Sequence, residues 1–230
     1  MELNFFNWSG GKDSSLALFY ALEKGIKIDL LFTTLSEKYR RVSMHGVKEE
    51  LLDAQAKSIG IPLRKMFLPE NASMSTYDAL YKKTLNELKD DGFKNAYFGD
   101  IYLEDLRKYR EDKLAEVGFN AIFPLWGIPT EKISNDFFQL GFETKIVAVN
   151  GQVLGKSFVG RDYTKEFIKD LPSEIDVCGE NGEFHSFCFA GPIYKESIEI
   201  KLGPIIEKYY DLDKEKGLKS QYFFAELDMA

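Results

Sequence analysis

The order of elements predicts an α/β chain: a parallel sheet with helices on both faces, then a smaller α+β domain. Three observations carry the prediction. Strand-length apolar runs alternate with helix-length amphipathic segments through the first half. A glycine-rich turn, Ser9–Ser14, falls between the first run and the first helix. After Pro124-Leu125-Trp126-Gly127 the alternation stops, and strand-like segments dominate.

In chain order, residues 3–8 read as a strand and the turn 9–14 follows at once. Residues 15–24 read as a helix, with Leu16, Phe19, Tyr20 and Glu23 on one stripe and Gly25 placed to end it. Residues 28–34 form the next apolar run, closing on Thr33 and Thr34. A helix over 47–59 ends at Gly60, with Pro62 just beyond. Strand 63–68, helix 75–89, strand 95–99, helix 105–117 and strand 121–123 complete the alternation. Right-handed crossovers then place helices on both faces of a parallel sheet. Ligands of such sheets bind at the carboxyl ends of the strands. The turn 9–14, the loop 33–45 and Gly99-Asp100 all fall there.

Beyond Gly127 the pattern predicts a helix over 130–140, a strand over 145–149 and a hairpin turn at Asn150-Gly151. A helix over 164–170 and strands over 183–189, 197–202 and 221–227 follow. The charged run 211–219 reads as a solvated loop or tip. Two domains are expected, 1–127 and 128–230.

The 230 residues are 44% hydrophobic and include 19 Phe and 12 Tyr, enough to build a core and to exclude bulk disorder. No apolar run is long enough for a membrane span, and Met1-Glu2-Leu3-Asn4 lacks signal-peptide character. A cytoplasmic protein without membrane association is the expectation. A net charge of −7 argues against broad nucleic-acid binding. Cys178, Cys188, His45 and His185 do not match a zinc spacing, and the cysteines read as reduced thiols.

Ser9-Gly10-Gly11-Lys12-Asp13-Ser14 carries the chemistry. Glycines let successive amides face one concavity, the following helix adds its positive end, Lys12 adds a mobile charge, and Ser9 and Ser14 add hydroxyls. The spacing is neither G-x-x-x-x-G-K-[ST] nor G-x-G-x-x-G. It matches the PP-loop of N-type ATP pyrophosphatases, which cleave ATP between the α and β phosphates. A second block, Gly179-Glu180-Asn181-Gly182-Glu183-Phe184-His185, sets two acids around a tight turn. Alone it reads as a magnesium, amine or proton-transfer site, or as a plain hairpin with solvated acids.

Together these segments make the chain resemble the diphthine–ammonia ligase family over nearly its whole length. Ser43-Met44-His45, Ile61-Pro62-Leu63, Phe98-Gly99-Asp100 and Pro124–Gly127 add to the likeness. The stretch 99–111 and His185 are closer to the bacterial branch, for which the acceptor is open. The resemblance implies an adenine nucleotide alpha hydrolase-like, nucleotide-binding N-terminal domain and an acceptor-binding C-terminal domain. It implies an ATP-dependent ligase that adenylates a carboxylate, joins it to ammonia and releases AMP and pyrophosphate. The family's acceptor is diphthine on elongation factor two.

On this reading Ser9, Gly10, Gly11, Lys12, Asp13 and Ser14 hold pyrophosphate, and adenine lies near Thr33 and Thr34. His45 and Gly99 complete the nucleotide site. Lys12, Asp13, Glu180 and Glu183 are the expected catalytic groups. Mg2+ is the expected metal with its ligands unassigned, Asp13 and Asp100 being candidates. Arg107 and Arg110, three apart on a helix, suit an anion or a solvated face. Trp126 reads as core. Glu2 leaves no N-terminal cysteine nucleophile, so free ammonium or a separate ammonia-supplying partner is expected. Self-association stays open. Two rival readings remain: a PP-loop tRNA-modifying enzyme, and a non-catalytic nucleotide sensor.

Overall fold

A computed structural model describes residues 2–42, 45–213 and 218–230, with side chains described over 2–42, 45–210 and 219–230. Ser43 and Met44, and the centre of the charged run at 214–217, lie outside the described residues.

The first half is a five-stranded parallel sheet in the order β3-β2-β1-β4-β5. Its strands are β1 (Leu3–Asn7), β2 (Leu30–Ser36), β3 (Leu63–Leu68), β4 (Phe93–Tyr97) and β5 (Asn120–Ile122). The helices between them are α1 (Lys12–Glu23), α2 (Glu49–Ile59), α3 (Met74–Asp90) and α4 (Glu104–Ala115). Alternation along β1 explains the layers. Phe6 packs with Leu16 of α1 and Leu51 of α2, whereas Phe5 packs with Leu85 of α3 and Leu114 of α4. Strand order reverses between β1 and β4, so the crevice at their carboxyl ends is the natural ligand position.

The second half begins with α5 (Thr130–Gln139) and continues as an antiparallel sheet ordered β7-β6-β9-β8. Its strands are β6 (Glu143–Asn150), β7 (Phe184–Ala190), β8 (Ile200–Asp213) and β9 (Leu218–Met229), with α6 (Lys165–Asp170) between β6 and β7. Core residues of this half, among them Phe137, Ile146, Phe167 and Phe187, belong to the same buried cluster as the α1–α2 face of the first sheet.

Three expectations are corrected. Helix α1 starts at Lys12, three residues earlier than its stripe suggests, because extended Gly11 serves as its cap and draws Lys12-Asp13-Ser14 into the first turn. Asn150-Gly151 closes no two-residue hairpin. Gly151 donates its N–H to Gln221 O of β9, and the Asn150 carbonyl accepts from Leu154 N, so the chain turns over 150–154 instead. The last two strands are much longer than their apolar cores. Both ends of the charged run are strand, with Asp211 opposite Lys219 and Asp213 opposite Leu218. Backbone pairing extends them where side-chain alternation gives no signal.

Candidate active site

Strand β1 ends at Asn7, and the chain enters the turn that begins α1. Gly10 adopts φ +78°, a left-handed conformation natural to glycine. Gly11 caps α1 without a side-chain oxygen, so the first-turn amides of Asp13 and Ser14 have no side-chain cap. Ser9 and Ser14 hydroxyls lie 3.1 Å apart, and Ser14 Oγ donates to Gly11 O. From the other side of the switch point, Gly99 closes on the helix start. A Cβ there would sit 3.0 Å from Ser14 N.

Around this turn is a cavity of about 330 Å³. The first half contributes Asn7, Ser9, Gly11–Ser14, Phe98-Gly99-Asp100, Leu103 just before α4, and Leu106 and Arg110 of α4. His45 enters from the loop after β2, and Gly179, Glu180, Gly182 and Phe184–Ser186 close the far wall. The two signature blocks, 170 residues apart in sequence, therefore share one cavity.

Lys12 is buried, with Nζ 2.7 Å from the Asp13 carboxylate and 5.6 Å from the ring centroids of both Tyr163 and Phe184. Burial alone would disfavour its charge, but the adjacent carboxylate outweighs it and keeps the ammonium protonated. Tyr163 is itself fixed by its hydroxyl, which donates to Val177 O at 2.7 Å. Cys178, buried beside this group, is pushed up to about 12 by its burial and is an unreactive thiol.

Glu180 and Glu183 have different surroundings. Glu180 lines the cavity, and its Oε1 accepts the Ile101 N–H at 2.8 Å. Burial, reinforced by the nearby Asp13 carboxylate, raises it to about 7. Glu183 is buried behind the turn and does not line the cavity. Its Oε1 accepts from Asn181 Nδ2 at 3.0 Å and Asp176 N at 3.3 Å, which ties the block together.

His45 and His185 stack with ring centroids 4.4 Å apart. Burial, then the charge of Lys12, lowers His185 to about 4. Burial, then His185 and Lys12, holds His45 well below the ordinary range. Two neutral imidazoles thus line the wall beside the cradle, and His45 Nδ1 is buried with no partner among the described residues. Asp100 is committed to Arg110 by contacts of 2.9 and 3.1 Å, and Arg110 also lies over Phe98 at 4.5 Å.

Thr33 and Thr34 do not line this cavity, and Thr33 is buried within β2. Gly10 shapes the loop from behind. Arg107 points elsewhere: it pairs with Glu111 at 2.7 Å and lies 4.5 Å over Trp126, which is half-buried rather than core. Among the described residues no three His, Cys, Asp or Glu side chains are arranged to hold a metal. Magnesium needs only one or two carboxylates when phosphates supply other ligands, so Asp13 in the cavity wall fits it. Asn7, Leu103, Leu106 and Ser186 line the cavity without being singled out in sequence. Only the neighbourhood of the glycine motifs could have pointed to them.

The diphthamide synthase N-terminal domain family matches residues 4–121, and the diphthamide synthase C-terminal domain family matches residues 129–220. No curated protein is similar enough to the chain to count as a match. A cradle at the switch point of a five-stranded parallel sheet, closed by the Gly-Glu-Asn-Gly-Glu turn that leads into a second sheet, agrees with both matches: the chain belongs to the diphthamide synthase family, whose PP-loop domain makes it an ATP-using enzyme.

Proposed function

We propose that this protein is an AMP-forming ligase that adenylates a carboxylate and joins it to ammonia. The observation that carries the proposal is a single cavity with Lys12 and the cradle on one wall and Glu180, raised to about 7, on the other. A diphthine-bearing elongation factor is the proposed acceptor, on the strength of the family. We take 1–127 as the nucleotide half and 128–230 as the acceptor half.

Ser9, Gly11, Lys12, Asp13 and Ser14 would hold the β and γ phosphates as one leaving unit, with Gly10 fixing the loop. Asp13 would hold Mg2+, which supplies positive charge to the phosphates when bound. A carboxylate oxygen attacks the α phosphorus, the bond to the bridging oxygen breaks, and pyrophosphate departs. Lys12 and the amides of Asp13 and Ser14 stabilise the charge that develops on the departing group. Ammonia then attacks the acyl carbon and AMP leaves with the bonding electrons. The nitrogen loses one proton, and Glu180 is suited to take it, because a base works best with a pKa near the operating pH. The neutral His45–His185 wall adds donors without further charge beside Lys12. Leu103 and Leu106 exclude water from the same cavity, which protects an activated acyl group.

The test is incubation with ATP labelled at the α phosphate, Mg2+, ammonium and diphthine-bearing elongation factor. AMP and pyrophosphate should form together with the amide. ADP and orthophosphate as the only products would overturn the proposal.

A further inference from the structure

Gln55 of α2 is fully buried and touches no part of the cavity. Burying a primary amide is costly unless its donors and acceptor are satisfied, and here they are. Nε2 donates to Gly10 O at 2.9 Å and to Cys188 O at 2.6 Å, with the Tyr194 hydroxyl at 3.3 Å. Oε1 accepts the Trp8 indole N–H at 2.8 Å. The opposite amide orientation would set N–H against N–H and oxygen against two carbonyls, so the partners fix the side chain.

These contacts join the end of β1, the cradle and β7 at one point. The Gly10 carbonyl also accepts from Cys188 N at 2.9 Å, and two residues further Lys12 N donates to Ser186 Oγ at 3.1 Å. Left-handed Gly10 presses on the same group: a Cβ at that position would lie 2.6 Å from Gln55 Oε1. Without such bonds a glycine pair is the most mobile kind of loop. With them, Gly10 O is held back from the cavity.

We propose that Gln55 is a positioning residue that locks the cradle to β7, so that the C-terminal domain takes part in setting affinity for the β and γ phosphates. The inference rests on the nucleotide site proposed above. It makes the cradle a joint product of both domains, preorganised before ligand arrives.

Calorimetry with Mg·ATP, pyrophosphate and AMP tests it, at a temperature well below each variant's unfolding midpoint and with circular dichroism to check the fold. Gln55→Leu and Gln55→Glu should each bind Mg·ATP and pyrophosphate at least about tenfold more weakly. Affinity for AMP, which lacks those phosphates, should stay within about threefold. A purely structural role would leave the three affinities of folded protein unchanged, or lower them all alike, and either pattern would overturn the inference. Should neither variant fold, Trp8→Phe removes only the N–H that orients the amide. It should lower pyrophosphate affinity a few-fold with AMP affinity retained, and equal pyrophosphate affinity would overturn the inference. Wild-type protein that fails to bind Mg·ATP would instead overturn the nucleotide site.

Discussion

The two sheets contribute to the cavity in different ways. The parallel-sheet half supplies a backbone cradle, with a glycine-capped helix start, a left-handed turn at Gly10 and the close approach of Gly99, together with the charged pairs Lys12–Asp13 and Asp100–Arg110 and the His45 ring. The antiparallel sheet and its preceding turn supply side chains whose protonation is displaced: Glu180 up to about 7 and His185 down to about 4. Backbone dipoles suit a fixed, highly charged group such as a polyphosphate. Displaced titratable groups suit proton transfer to a variable partner. One half would hold the leaving group and the other would serve the acceptor and the nitrogen.

The largest expected effect breaks the first side of that division. Lys12→Ala should remove about 2–4 kcal/mol of transition-state stabilisation, on the order of 30- to 1,000-fold in turnover. Folding should survive, and single-turnover pyrophosphate release measures the loss. Undiminished turnover in a folded variant would remove the cradle from the chemistry.

Glu180→Gln sharpens the second side. Amide formation should fall at least about tenfold while Mg·ATP affinity is retained. Turnover of wild type, normalised to free ammonia, should rise with pH through about 7, and the variant should lose that rise. Stability gives an independent reading. Because the folded pKa is raised, the stability contributed by Glu180 is full below the unfolded value of 4.5 and is lost as pH rises through about 7. Thermal melts at pH 8 should therefore show Glu180→Gln gaining on wild type, relative to melts at pH 4.

The histidine pair predicts a smaller effect of opposite sign. His185 is lowered from 6.5 to about 4, so its contribution is full above 6.5 and is lost as pH falls toward 4. His45 acts in the same direction. His185→Phe should flatten the fall in melting temperature between pH 6.5 and 4, and an unchanged slope would show that the pair is not buried and neutral. The smallest effect is expected from Glu183→Gln. The replacement keeps the acceptor for Asn181 and Asp176, so turnover should fall much less than in Glu180→Gln. Equal losses in the two variants would place both acids in the chemistry.

Much of this was legible because it is local. The Ser9–Ser14 turn announces itself within six residues, and its position between a strand and a helix follows from the flanking apolar pattern. The parallel alternation is legible for the same reason: each β-α step is a change of period from 2 to 3.6. What stayed hidden is long-range. Gln55 and Ser186 carry no motif, and their meaning comes from contacts with residues 45 and 174 positions away. The distinction between Glu180 and Glu183 was equally invisible. The same residue type three positions apart points to opposite sides of one turn, and only the Ile101 amide and the Asp176 backbone decide which carboxylate meets the cavity. The outer halves of β8 and β9 gave no alternation to read.

The buried cluster that runs from α1 and α2 into Phe137, Phe167 and Phe187 bears on how the chain unfolds. Separating the two sheets would expose Leu16, Leu51 and Leu52, all at most 1% accessible, on a broad apolar face. Neither half has a complete core of its own on that side, so the chain should behave as one cooperative unit despite its two architectures. Denaturant melts followed at Trp8, in the first half, and at Trp126, near the junction, should coincide in midpoint and slope. A chain built this way has no cheap partial opening along the seam, and the site that lies on that seam inherits the stability of the whole molecule.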